Sequence, residues 1–170
     1  MSLIFVDCEA YGPTPRLGRL TEFGAVEYKT GEHFHGKLIA CRPSAANPAV
    51  PEPAEDAPVT AAEYNQRGYE VFGRFRDWLA FNGEGRPVFV SDNPAFDWMW
   101  ISDGLWRWTN GNPFGHSARR LADFYAGLVG DFHQTQKWKR LRVTPHDHNP
   151  VNDARGNVEA LRRLLAGERP

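Results

Sequence analysis

The run Leu3-Ile-Phe-Val6 is continuously apolar and stops at Asp7. A strand of that kind is buried on both faces, which places it inside a sheet with a packed layer on either side. Leu20 to Lys29 mixes apolar and β-branched residues around Gly24. Lys29-Thr-Gly-Glu32 then reads as a turn, and Phe34 to Cys41 as a third strand, so the N-terminal third predicts an antiparallel meander. The five prolines Pro43, Pro48, Pro51, Pro53 and Pro58 mark residues 43–58 as a Pro/Ala-rich surface excursion with little regular structure.

Beyond the excursion the apolar period changes. Val71, Phe72, Phe75, Trp78 and Leu79 recur at three- and four-residue spacing, the pattern of an amphipathic helix packed on the sheet. Val88-Phe-Val90 supplies another short buried strand. Ala95 to Leu105, Ala118 to Val129 and Val151 to Leu165 read as further helices, the last with Val151, Ala154, Val158, Leu161 and Leu165 on one stripe. The order β-β-β-α-β-α-α-α predicts an α/β domain with helices on both faces of a mixed sheet.

At 170 residues the chain has the length of a single domain, expected to span 1–170. No apolar run approaches the ~20 residues of a spanning helix, and no basic leader precedes Leu3, so no membrane partner is expected. The two cysteines, Cys8 and Cys41, form no disulfide framework, which makes a reducing cytoplasm the expected compartment. The net charge of −1 excludes a uniformly basic coat. Residues 86–170 nevertheless hold 12 basic against 9 acidic side chains, enough for a locally basic face.

Four acids stand where strands end and helices begin. Asp7 and Glu9 are two apart on the first strand and so share a side of it, able to converge on one ion. Asp97 follows Val88-Phe-Val-Ser-Asp-Asn-Pro-Ala-Phe at a strand-to-helix junction, and Asp153 falls in the first turn of a helix begun by Asn149 and Pro150. Taken singly, each is an ordinary turn or helix-start acid. Together, Phe5-Val-Asp7-Cys-Glu9, Leu20-Thr-Glu-Phe-Gly-Ala-Val26, Asn93-Pro-Ala-Phe-Asp97 and His148 five residues before Asp153 resemble the DEDD superfamily of 3′-to-5′ exonucleases. The position four before Asp153 is Asn149 rather than tyrosine, and His148 points to the DEDDh group.

The resemblance implies an RNase H-like (DnaQ-like) fold, with a central mixed five-stranded sheet flanked by helices. It implies a metal-dependent enzyme that trims single-stranded nucleic acid, DNA or RNA, from its 3′ end to nucleoside 5′-monophosphates. Asp7, Glu9, Asp97 and Asp153 would hold two divalent ions, Mg²⁺ or Mn²⁺, since such ions prefer hard oxygen ligands and a pair of them can clamp the attacking and leaving oxygens of a phosphodiester. His148 would be the general base, imidazole having an ordinary pKa of about 6.5. Two departures from the family stand out: Asp92-Asn93 replaces the usual His-Asn, and Ala10-Tyr11-Gly-Pro follows Glu9 where Thr-Thr-Gly is common.

In relatives that neighbourhood cradles the terminal nucleotide, which makes Ala10, Tyr11 and Asn93 candidate substrate contacts. Trp98 flanks a proposed ligand and could stack on a base. Lys137-Trp-Lys139-Arg140-Leu-Arg142 could hold phosphates, with a solvated helix face as the competing reading. His33 and His35 alternate on a strand without a third ligand nearby, which favours a solvent-facing pair. Homodimers are frequent among relatives, and the tryptophans could supply such an interface. Two other functions fit the same residues: an inactive exonuclease-fold module that binds nucleic acid, and a dinuclear hydrolase of small nucleotide esters.

Overall fold

A computed structural model describes residues 1–39 and 60–170, and the backbone of 41–43 and 51–53. Seven strands and four helices are assigned there: β1 Leu3–Tyr11, β2 Arg19–Glu27, β3 His33–Lys37, β4 Cys41–Pro43, β5 Pro51–Pro53, α1 Ala61–Asn82, β6 Val88–Ser91, α2 Pro94–Thr109, β7 Ala118–Arg120, α3 Leu121–Val129 and α4 Pro150–Leu165. A 3₁₀ turn covers Lys137–Leu141.

Five strands form one mixed sheet in the order β3-β2-β1-β6-β7. The meander β1–β2–β3 is antiparallel, and β6 and β7 join parallel to β1. β1 is the central strand, as its apolar run requires: Ile4, Val6 and Cys8 enter one core with Phe23, Phe72, Phe75, Phe89 and Ile101. Phe5 enters the other, with Val26, Val90, Trp138, Ala154 and Val158. Helices α1 and α2 cover the first face, and α3, α4 and the 3₁₀ turn cover the second. α1 starts on a capping box in which Thr60 and Glu63 satisfy each other's orphan backbone donors.

Several boundaries differ from the sequence expectation. Ala118–Val129 is not one helix: Ala118–Arg120 pairs with Phe89–Ser91 as the edge of the sheet, and the helix begins only at Leu121. Three residues are too few to display a strand period, and no capping side chain marks the junction. The third strand ends at Lys37 rather than Cys41. Cys41–Pro43 instead pairs with Pro51–Pro53 in a separate two-stranded ladder, so the 43–58 excursion carries some regular structure; the rest of it, 44–50 and 54–58, lies outside the described residues. On α4 the buried position is Leu164, while Leu165 is 60% exposed.

Gly24 lets α4 reach the sheet. A Cβ there would overlap the backbone of Pro150 and Val151, so only glycine permits the first turn of α4 to lie on β2 beside Asp7, the ladder partner of Gly24. Gly24→Ala must push that turn away. The expected result is a Tm lower by roughly 5–10 °C, from a clash of about 2–3 kcal/mol, measured by thermal unfolding monitored by circular dichroism.

Candidate active site

The site lies at the carboxyl end of β1, where the parallel pair β1 and β6 opens toward the N-termini of α2 and α4. β1 runs on to Tyr11, so Asp7 and Glu9 sit within the strand rather than after it, on the face toward α4. Asp153, in the first turn of α4, is 1% exposed. Asp7, Glu9 and Asp153 each offer a carboxylate oxygen, and these oxygens lie within 4.8 Å of one another.

Asp97, buried in the first turn of α2, stands slightly apart. Its Oδ1 accepts from the Cys8 backbone N–H at 3.1 Å, and its Oδ2 from the Ser91 hydroxyl at 2.5 Å. These bonds tie α2 to the ends of β1 and β6 and fix the orientation of the carboxylate.

Crowded and poorly solvated acids resist ionisation. Burial, followed by the charges of Asp97, Asp153 and Glu9, raises Asp7 well above the ordinary carboxylate range. Burial is also the largest cause for Glu9, with Asp153 and Glu22 adding to it, and pushes it up to about 7. Burial lifts Asp97 to about 7 against the opposing hydrogen bonds from Ser91 and Cys8. In this cluster burial and mutual repulsion outweigh the positive charge nearby.

Asp153 carries the same message in hydrogen bonds: both its carboxylate oxygens are buried and neither accepts one among the described residues. His146 Nδ1 is 2.7 Å from Asp153 Oδ1, an ion pair when the imidazole is protonated. Buried carboxylate oxygens that accept no hydrogen bond, beside two further acids, are a donor set suited to a hard divalent cation.

His148 is half-exposed on the approach to α4, with Nδ1 3.6 Å from Glu9 Oε1. Its φ of 60° is left-handed, a conformation that non-glycine residues hold only where neighbours enforce it. The enforcement is local. The Asp147 carboxylate accepts from the Asn149 N–H and the Asn152 amide, and Asn149 caps α4 by accepting from the N–H groups of Val151 and Asn152. Upstream, Glu159 accepts from Val143 N–H, Thr144 N–H and the Thr144 hydroxyl. The segment bearing both histidines is therefore fastened at each end, and their rings lie 4.5 Å apart.

The remaining candidates are scattered. Tyr11 is 48% exposed at the end of β1, and Ala10 is half-buried next to it. Asn93 is exposed at the N-cap of α2 without a side-chain cap bond. Trp98 faces away from the acids, its ring edge-on to Phe89 at 5.2 Å and to Phe114 at 6.4 Å in the core on the opposite face of the sheet. Lys137 and Arg140 are exposed, but Lys139 is bound to Asp92 at 2.6 Å.

Two further residues neighbour the site. His146 lies seven residues before Asp153, in His-x-His spacing with His148. Arg142, at the end of the basic run, is nearly buried over the Trp138 ring, donates to Asn157 Oδ1 and is the cation that opposes the rise of Asp7. It also lies 3.8 Å from Asp92, so the residue that departs from the family's His-Asn pair fastens the basic turn to the β6–α2 junction.

No family model matches the chain. Its sequence is similar to the 3′-5′ DNA exonuclease Cap18 of Escherichia coli, 25% identical over 172 residues, covering 95% of this chain and 90% of that protein.

Solved structures share this fold. The zinc-bound E. coli exonuclease I complex with single-stranded DNA superposes with a TM-score of 0.60 at 16% identity. Exonuclease I from Methylocaldum szegediense does so with a TM-score of 0.61 at 18% identity. Each comparison covers 99% of this chain and 41% of the other, so the chain spans about two-fifths of those proteins. No helix among its described residues is long and apolar enough to cross a membrane.

Proposed function

We propose that residues 1–170 form a DEDDh-type 3′-to-5′ exonuclease domain acting on single-stranded DNA, with Asp7, Glu9, Asp97 and Asp153 holding two divalent ions and His148 as general base. The observation that carries this reading is the triad Asp7, Glu9 and Asp153, with both oxygens of Asp153 buried and accepting no hydrogen bond among the described residues. Preference for DNA is supported by the names of the relatives, a DNA exonuclease and exonuclease I bound to single-stranded DNA.

Two ions, when bound, supply charge that stabilises the attacking and leaving oxygens of phosphodiester hydrolysis. The chain's residues do the rest. Asp97, oriented by Ser91 and Cys8, and Asp153, placed by α4, present carboxylates from two sides of β1. His148 takes the proton of the attacking water as the new P–O bond forms and the bond to the 3′ oxygen of the penultimate nucleotide breaks. Its partly exposed place beside Glu9 leaves it free to pass that proton to solvent. Tyr11, Ala10 and Asn93 line the approach for the terminal nucleotide, while Lys137 and Arg140 remain available to phosphates.

The test is a time course on single-stranded DNA and RNA labelled at the 5′ end, in Mn²⁺, Mg²⁺ or EDTA. The expected result is a metal-dependent ladder that shortens from the 3′ end, faster on DNA. His148→Ala should lower kcat by about 10²–10⁴-fold, the usual contribution of a positioned general base. A folded protein that shortens neither strand in either metal refutes the proposal.

A further inference from the structure

Glu9 and Glu22 are direct partners in the β1–β2 ladder. Directly opposed side chains share a face of the sheet with Cβ atoms about 5 Å apart, and a like-charged pair at such a position weakens the ladder. Glu22 is therefore a fifth carboxylate within side-chain reach of the acid cluster, and its charge is among those that push Glu9 up. It is turned the other way. His35 Nε2 lies 2.6 Å from Glu22 Oε2, and Lys37 Nζ lies 3.9 Å from the same oxygen. Both come from β3, where His35 is the ladder partner of Gly24 and Lys37 that of Glu22. The His35 and Glu22 side chains are each 26% exposed, so their short contact is partly shielded from solvent.

We propose that His35 is a positioning residue, aided by Lys37, that holds Glu22 away from the ion site and keeps that site at four carboxylates. The inference rests on the divalent-ion reading above. Four carboxylates balance the charge of two divalent ions. A fifth would bind the ions more tightly and leave an excess negative charge where an anionic phosphodiester must dock. The alternating histidines of β3 thus divide: His35 serves the site through Glu22, and His33 is exposed.

Mn²⁺ titration followed by electron paramagnetic resonance, with kcat measured in parallel on single-stranded DNA, tests this. In His35→Ala the freed Glu22 should tighten Mn²⁺ binding about tenfold, within the range by which residues behind metal ligands tune affinity, and lower kcat. Lys37→Ala, which alters an exposed side chain, should shift both in the same direction by less. Adding Glu22→Gln to His35→Ala should return Mn²⁺ affinity and kcat to wild-type values, and His35→Gln, which keeps a donor, should resemble wild type. Unchanged Mn²⁺ affinity in both His35→Ala and Lys37→Ala overturns the proposal, as does a change that Glu22→Gln fails to reverse. Absence of Mn²⁺ binding by the wild-type protein would instead overturn the divalent-ion reading itself.

Discussion

Asp153→Asn is expected to lower the rate of 3′-end cleavage by at least about a thousandfold, or about 4 kcal/mol of barrier, and to raise the Tm of the metal-free protein measured above pH 7. The opposite signs share one origin. The Asp153 carboxylate is almost wholly buried, neither oxygen accepts a hydrogen bond among the described residues, and the carboxylates of Asp7 and Glu9 lie close by. Neutralising it removes a repulsive charge from the apoprotein and a ligand from the loaded one. A side chain kept for packing would lose stability on replacement. Single-turnover cleavage of labelled DNA and thermal unfolding in EDTA measure the two effects, and a fall in both would mean that Asp153 is structural.

The second large effect is on the pH dependence of stability without metal. Glu9 and Asp97 rise to about 7, and Asp7 is raised well above its ordinary value. Groups raised in the folded state bind more protons there than in the unfolded chain, so their stabilising share is complete below the unfolded pKa near 4 and is lost as pH climbs through about 7. The metal-free protein should therefore lose about 5 kcal/mol between pH 5 and 8, seen as a Tm lower by roughly 10–20 °C. Millimolar Mn²⁺ should restore most of that loss at pH 8, because a ligand bound only by the folded state stabilises it in proportion to log concentration. A metal-free Tm that is flat or rising over this interval would show that the acids are not crowded as described.

The central strand was legible in the sequence because β1 is buried on both faces and writes its environment as the apolar run Leu3–Val6. The acids were not legible one by one, each being an ordinary turn or helix-start acid, and only the resemblance of the motifs taken together singled them out; the structure brings Asp7, Glu9 and Asp153 close. What could not be read depends on contacts between distant segments. The bonds of Asp97 to Cys8 and Ser91, the fit of α4 on Gly24, and the turn of Glu22 toward His35 arise from strand register and helix placement. β7 went unseen because three residues at a sheet edge have no period to display. Lys139 sat in a run that predicted a phosphate contact, but Asp92, more than forty residues earlier, binds its charge.

Titration of Mn²⁺ into the metal-free protein by isothermal calorimetry, for the wild type and Asp153→Asn, tests the central claim most directly. The predicted result is two ions bound per wild-type chain, with binding at one or both sites lost in the variant while its circular dichroism spectrum is unchanged. A wild-type chain that takes up no Mn²⁺ at millimolar concentration, or a variant that binds it as tightly as the wild type, would contradict the claim that these carboxylates form an ion site.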